Sequence, residues 1–362
     1  MFYSCQMTGP IQSAKAKGRG AVSNAPSRFE RHDREVFDDG WNSEPDDLPA
    51  LRTEVSLERP RSAITYNRSP DLSFDRSINP YRGCEHGCVY CFARPTHAYL
   101  GLSPGLDFET KLIARPDMPD VLRRELRRAQ YQPATLAIGT NTDPYQPIEG
   151  QHRIMRQCLE VLAEFNHPVA IVTKGSLIER DLDILGPMAE RGLAKVGISV
   201  TTLDPAICRL MEPRVPSPAR RLKTIERVSD AGVPVRVMAS PMVPALTDAE
   251  LEQILEAGRD AGATAASWIM LRLPREVSTL VQEWLAEHFP DRAARIMARL
   301  REMHGGRDYD PQWGRRMRGE GPYAEMVEHR FKIAIKRLGL VTELPGLRTD
   351  LFRRSGAQLT LF

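Results

Sequence analysis

Between about Pro80 and Pro274, short apolar runs alternate with amphipathic stretches, and this alternation constrains the fold more than any other feature of the chain. The runs are residues 135–139, 169–173, 196–200, 235–238 and 267–271. Near-continuous apolar runs of this length suit parallel strands covered on both faces. Residues 154–165, 219–231 and 248–261 read as the intervening helices. The last opens Thr247-Asp248-Ala249-Glu250, which predicts a capping box with Thr247 as N-cap and Glu250 reaching back. A further strand leading into a cysteine-rich loop brings the count to six. Repeated βα units imply an α/β fold with a parallel sheet and right-handed crossovers. The pattern is compatible with either an open doubly wound sheet or a barrel.

The flanks differ from this core, which is expected over 61–275. Residues 1–60 are polar, charged and poor in periodic apolar positions, and read as an extended or wrapping arm with Phe37 and Trp41 as anchors. Residues 276–345 turn helical, with helices expected over 279–289, 293–303 and 323–338 as a cap beside the strand ends. Residues 346–362 read as a flexible tail. The 362 residues are 41 % hydrophobic and 27 % charged, with a net charge of +3, which fits a soluble globular chain rather than a polycation. No run approaches the roughly 18 apolar residues of a membrane span, and no signal-peptide core is visible, so no membrane association is expected. Basic residues do cluster: Arg214, Arg220, Arg221 and Lys223; Arg292, Arg295, Arg299 and Arg301; Arg315, Arg316 and Arg318. Such runs form either solvated helix faces or a phosphate-binding groove.

Chemistry concentrates in Gly83-Cys84-Glu85-His86-Gly87-Cys88-Val89-Tyr90-Cys91. Three thiolates at CxxxCxxC spacing on a glycine-flanked loop can hold three corners of an iron–sulfur cube, leaving the fourth iron open to a ligand. A structural zinc site would need a fourth ligand, for which His86 or His97 is available. A disulfide scaffold is disfavoured, because six cysteines are spread over 362 residues and three of them crowd one loop. Free thiols and an oxygen-sensitive cluster point to the cytoplasm.

The array, with an aromatic residue before its last cysteine, resembles the radical S-adenosylmethionine (radical SAM) superfamily. The stretch from Ser77-Ile78-Asn79-Pro80-Tyr81-Arg82-Gly83-Cys84 through Tyr90-Cys91-Phe92-Ala93-Arg94-Pro95 is similar to a bacterial branch related to spore photoproduct lyase, and the similarity runs from about Gly18 to the C-terminus. The resemblance implies a partial (βα)6 TIM-like radical SAM barrel with an N-terminal extended arm and a C-terminal helical cap. It implies a [4Fe-4S] cluster on Cys84, Cys88 and Cys91, S-adenosyl-L-methionine (SAM) on the open iron, and a reductant such as flavodoxin or ferredoxin. Reductive cleavage of SAM to a 5′-deoxyadenosyl radical would follow, with the cofactor supplying the difficult chemistry.

The remaining contacts are expected at the C-terminal ends of strands, where barrel enzymes gather reactive groups. Tyr90 is placed to contact adenine. Asn141 and Asp143, in the polar run after the second strand, are candidates for the ribose hydroxyls or the methionyl amine; Asp143-Pro144 is also a turn initiator. The resemblance assigns the methionyl group to Lys174 and Ser199, and shielding of adenine to Val243. There the familiar form has Gly where Ala245 stands and Asn where Thr247 stands. Arg214 and Arg272 are candidates for the substrate side. One departure bears on the reaction itself. Spore photoproduct lyase carries a hydrogen-returning cysteine just before its strand-two polar motif, and the matching position here is Gly139. Cys158 reads as a small buried hydrophobe, so no catalytic residue is assigned.

The chain ends Gln358-Leu359-Thr360-Leu361-Phe362, which resembles the peptide that docks bacterial repair and replication proteins on the sliding clamp; Gln358, Leu359, Leu361 and Phe362 would make the contacts. Together these features suggest a lyase- or transferase-type radical SAM enzyme acting on DNA or RNA, in repair or base modification. The alternatives are radical chemistry on a peptide or small metabolite, and a non-enzymatic, metal-stabilised DNA- or clamp-binding adaptor.

Overall fold

The computed structural model describes residues 18–25, 27–29 and 51–354. The expected anchors Phe37 and Trp41, and the terminal Gln358, Leu359, Leu361 and Phe362, lie outside these residues. In chain order the strands are β1 (Glu54–Leu57), β2 (Thr65–Tyr66), β3 (Arg76–Ile78), β4 (Tyr81–Arg82), β5 (Lys111–Ala114), β6 (Leu136–Ile138), β7 (Val169–Thr173), β8 (Ala194–Ser199), β9 (Val235–Met242) and β10 (Ala265–Met270). The α-helices are α1 (Asp107–Thr110), α2 (Met118–Leu126), α3 (Glu149–His152), α4 (Ile154–Glu164), α5 (Leu182–Glu190), α6 (Pro205–Met211), α7 (Pro218–Asp230), α8 (Leu251–Asp260), α9 (Glu276–His288), α10 (Pro290–Met303) and α11 (Pro322–Leu338).

Six strands, β3-β6-β7-β8-β9-β10, lie side by side in sequence order, all parallel. The two-residue β2 pairs antiparallel on the β3 edge. Among the described residues nothing pairs β10 back to that edge, so the sheet is an open partial barrel of the expected α/β class. The strands form where their outward residues meet helices. Ile138, Ile171, Ile198, Val237 and Trp268 are all buried. Full burial of one such side chain stabilises by about 1.5–3 kcal/mol. Contact there is close enough that α8 needs a glycine: a Cβ on Gly258 would stand 2.6 Å from the Val237 side chain. With a strand period of two, the alternate residues line the concave face. Gly197 belongs to this set, and a Cβ there would meet Met238 Sδ at 2.7 Å.

A second sheet, ordered β1-β5-β4, frames the cysteine loop. These strands are two to four residues long and carry no periodic apolar signal, which is why sequence reading passes over them. In the C-terminal region, α9, α10 and α11 lie within three residues of the expected helix limits. Past residue 346 the chain is docked as far as the described residues go: the Phe352 ring lies 5.8 Å from Tyr131 and 5.7 Å from His167. No helix among the described residues is long and apolar enough to cross a membrane.

The expected capping box does not form. Thr247 accepts from the Val243 N–H at 2.9 Å, closing a turn after β9. Glu250 accepts from the Thr202 hydroxyl and the Leu203 N–H across the sheet end, and the α-helix begins one residue later. Both side chains serve tertiary contacts that local sequence does not reveal.

Candidate metal and cofactor site

The cysteine loop follows β4 and is shaped by two glycines in the left-handed region, Gly83 at φ 73° and Gly87 at φ 70°. A Cβ on Gly83 would sit 2.9 Å from the Phe108 carbonyl oxygen, and one on Gly87 would sit 2.7 Å from Glu109. Larger residues at either place would push the loop off its support. The support is polar and buried. Arg94, fully buried, donates to the carbonyls of Cys88 (2.9 Å), Pro104 (3.1 Å) and Gly105 (2.9 Å) and pairs with Glu109. The Glu109 carboxylate also accepts the Gly20 and Ala21 N–H groups at 2.9 and 2.8 Å, holding part of the N-terminal arm over the loop. From the other side, Gln146 accepts from the Glu85 N–H (2.8 Å) and donates to the Gly83 carbonyl (3.2 Å).

Cys84 and Cys88 are buried, Cys91 is half-buried, and none is in a disulfide. Burial pushes all three thiols up, and for Cys84 the Asp143 carboxylate and the neighbouring sulfurs push further. For Cys88 the Lys174 ammonium works against burial. Burial thus disfavours free thiolates here, even with Lys174 and Arg94 nearby. Iron at the corners of a cube would supply the charge that keeps buried sulfurs as thiolates, so the donor set fits a cluster. Among the described residues no three His, Cys, Asp or Glu side chains converge as a single ion requires; a cube, with its corners apart, sets a wider spacing. His86 faces Asp143, with Nδ1 3.4 Å from Oδ2, and His97 Nε2 lies 2.9 Å from the Lys111 carbonyl.

The strand ends form two polar networks beside the thiols. In the first, Asp143 accepts from the Thr173 hydroxyl (2.6 Å), the Lys174 N–H (2.8 Å) and the Tyr145 N–H (2.9 Å). Burial opposes its ionisation, but His86 and these donors hold its pKa down at about 2. Both oxygens are thus engaged in tying the end of β6 to β7 and to the cysteine loop. In the second, buried Glu212 accepts from the Tyr90 hydroxyl and from Arg221 (2.5 Å). Arg221 donates in turn to the Ser199 carbonyl at 3.0 Å. Lys174 Nζ lies 5.7 Å from the centre of the Tyr90 ring. Burial would lower the lysine pKa, yet Cys88 and Glu212 outweigh it and hold it above the ordinary value. The same pairing with Arg221 and Lys174 overcomes burial to keep Glu212 below the carboxylate range.

Tyr90, Asp143, Lys174 and Ser199 therefore converge on the cysteine loop. Val243 is buried one residue beyond β9, and the Ser199 hydroxyl donates to the Ser240 carbonyl at 2.6 Å. Asn141 is half-buried and its side chain makes no hydrogen bond among the described residues, which leaves it free for a ligand. Ala245 takes φ 61°, the conformation a glycine would hold without strain. Gly139 takes φ 88°, and a Cβ there would stand 1.8 Å from the Val172 carbonyl oxygen. The backbone leaves no room for a cysteine at this place. The other described cysteines are Cys158, buried in α4, and Cys208, whose Sγ accepts from Arg221 at 2.9 Å.

Most members of the arginine runs are paired within the protein, although Arg292 and Arg295 on α10 are exposed and meet no carboxylate among the described residues. Arg214 pairs with Glu85 (2.8 Å), Arg220 and Arg227 share Glu179, and Arg221 is buried on Glu212. Arg299, Arg301, Arg315, Arg316 and Arg318 each reach a carboxylate. These paired guanidinium groups are not free for a phosphate. Glu109, Gln146 and Glu212 shape the site, yet sequence reading gives them no role; a lone polar residue buried by long-range contact leaves no periodic trace. Arg94 is visible in the sequence only as part of the resembling stretch.

Six parallel strands with two buried cysteines and one half-buried, and a charged network at their C-terminal ends, suit an α/β enzyme that loads a metal cluster beside a polar cofactor. The radical SAM superfamily model matches residues 78–258, and the chain belongs to that superfamily. Its cofactors are a [4Fe-4S] cluster and SAM, and like other radical SAM enzymes it needs a reductant. An uncharacterised protein of Mycobacterium tuberculosis is 39 % identical over 271 residues, covering 74 % of this chain and 76 % of the relative. One from Methanocaldococcus jannaschii is 23 % identical over 199 residues, or 55 % and 71 % of the two chains. Among solved structures, a spore photoproduct lyase variant with bound AdoMet and dinucleoside spore photoproduct superposes with a TM-score of 0.58 at 16 % identity, over 82 % of this chain and 87 % of that one. At that identity the likeness establishes the fold.

Proposed function

We propose that this radical SAM enzyme abstracts hydrogen from a nucleic-acid substrate, in repair or modification of a base, as a relative of the photoproduct lyases with a different final step. The observation carrying the reading is the fold shared, over most of both chains, with a lyase holding AdoMet and a dinucleoside lesion. When bound, the cluster and SAM supply the electron and the 5′-deoxyadenosyl radical. The chain's own part is to hold three thiols on a loop clamped by Arg94, Glu109 and Gln146, and to set Lys174 and Ser199 for the methionyl group. Tyr90 and Val243 would flank adenine, with Asn141 turned toward the ribose and Asp143 bracing the strand ends. Gly139 sets the departure: hydrogen return by a thiol at that position is sterically closed.

Flavodoxin or ferredoxin would donate the electron in a reducing cytoplasm, and the terminal Gln358, Leu359, Leu361 and Phe362 would dock on a sliding clamp. A second reading, radical chemistry on a peptide or small metabolite, draws support from the internal pairing of Arg214, Arg220 and Arg299. The test is anaerobic reconstitution followed by measurement of 5′-deoxyadenosine released from SAM in the presence of irradiated DNA, intact DNA, RNA or a cell-extract peptide fraction. Stimulation by nucleic acid, lost in Cys88→Ala, is the expected result. Stimulation by the peptide fraction alone would replace the first reading with the second.

A further inference from the structure

Two arginines outside the runs named above, Arg272 and Arg275, are engaged by aromatic rings rather than by carboxylates. Arg272 follows β10, and its guanidinium stands 4.9 Å from the centre of the Phe92 ring and 5.9 Å from that of Tyr309. It donates to the Tyr309 hydroxyl at 3.3 Å, while its buried Nε has no hydrogen-bond partner. Three residues on, Arg275 donates to the Tyr99 hydroxyl at 3.4 Å. Neither arginine meets a carboxylate among the described residues. A third, Arg28, stands 4.5 Å from the Phe29 ring centre and 5.0 Å from that of Tyr99, and it pairs with Glu276 at 2.7 Å.

These contacts form one surface, because the same two segments carry both halves of it. Phe92 precedes the short helix Arg94–Leu100 that follows Cys91 and Tyr99 lies within it, and Arg272 and Arg275 belong to a single turn between β10 and α9. The rings are turned outward: Tyr99 is 67 % exposed, Phe29 55 % and Phe92 44 %. Exposed aromatics alternating with guanidinium groups have no use in a folded core. Arg275 is moreover held at φ 54°, a backbone conformation that non-glycine residues rarely adopt and that proteins keep chiefly at functional sites.

We propose that this rim binds single-stranded nucleic acid, with bases stacked on Phe92, Tyr99 and Phe29 and the backbone phosphates met by Arg272 and Arg275. Every base has a π-face, so stacking on rings holds a strand without demanding a sequence, and a guanidinium beside a ring serves both base and phosphate. A duplex would keep its bases from these rings; a strand opened at a lesion would not. Phe92 is the residue after Cys91, so a strand on the rim runs beside the cluster loop. This assignment rests on the nucleic-acid reading above and adds the strand state and the contact residues.

The test is fluorescence anisotropy, on the cluster-loaded protein without reductant, of a labelled single-stranded dT oligomer, the same length of abasic deoxyribose-phosphate strand, and a duplex. Wild-type protein should bind the dT strand more tightly than the abasic strand or the duplex. Tyr99→Ala should weaken dT binding by roughly 5- to 150-fold, the range for loss of one stacked base, while Tyr99→Phe retains it. Arg275→Ala should weaken the dT and abasic strands alike. Arg348→Ala, on a distant exposed pair with Asp350, should change nothing. Tight wild-type binding unaffected by Tyr99→Ala and Arg275→Ala would overturn the rim while sparing the nucleic-acid reading. Preference for duplex would overturn the strand state, and failure of wild-type protein to bind any of the three would remove both.

Discussion

Replacing Gly139 by alanine isolates the steric reason why this chain cannot use a thiol at the end of β6. Two costs add. At φ 88° an L-residue is strained by about 1–2 kcal/mol. The new Cβ would also stand 1.8 Å from the Val172 carbonyl oxygen, so strand β7 would have to retreat by more than 1 Å to reach a contact that real Cβ atoms make. Overpacking of that kind costs about 1–3 kcal/mol, for a total near 2–5 kcal/mol. Two other glycines separate the contributions. Gly232 has φ 75° but nothing within 4 Å, so Gly232→Ala should show only the backbone cost of about 1–2 kcal/mol. Gly150 lies in helix α3 with open space around it, and Gly150→Ala should be neutral or stabilising by up to about 1 kcal/mol. Urea unfolding of the anaerobically purified proteins, followed by circular dichroism, measures all three. The expected order of stability is Gly150→Ala, then Gly232→Ala, then Gly139→Ala. If Gly139→Ala matched Gly232→Ala, the clash would be illusory and a cysteine at this position would be admissible after all.

Asp143→Asn should cost about 2 kcal/mol at neutral pH, because the native carboxyl titrates near 2 against an ordinary 3.8. A depressed carboxyl stabilises the fold above its unfolded pKa and loses that contribution as pH falls through the folded one. The unfolding curves of wild type and of the Asp143→Asn variant should therefore converge between about pH 4 and pH 2; a gap independent of pH would show that packing, not charge, is involved. Ala245→Gly should stabilise by about 1 kcal/mol by relieving the strain at φ 61°, and an unchanged or lower unfolding midpoint would argue against that backbone.

Much of the site depends on groups whose polarity is satisfied far along the chain. Glu109 is the clearest case: it sits in a four-residue helix yet holds Arg94, Gly20 and Ala21 together. Removing one partner of a buried pair of this kind typically costs about 3–5 kcal/mol. The cysteine loop is thus stiffened by contacts from several segments, and a preset loop spares the ordering cost when a cluster and its cofactor are taken up.

Local pattern was enough for five apolar strands and the helices between them, since periods of two and of 3.6 are properties of neighbouring residues, but it left the strand order open between a doubly wound sheet and a barrel, which the tertiary structure decided. The thiol spacing of the cysteine loop is likewise a property of neighbouring residues. Which polar groups would be consumed internally was decided in three dimensions. Asp143, with its oxygens engaged by protein donors, and Arg220 and Arg316, paired with Glu179 and Asp71 far along the chain, look in the sequence like groups awaiting a ligand. Asn141 looks much the same there, and among the described residues its side chain is left without a partner. Charge and hydrogen bonding are settled by whatever arrives within about 3 Å, and that distance bears no relation to separation along the chain.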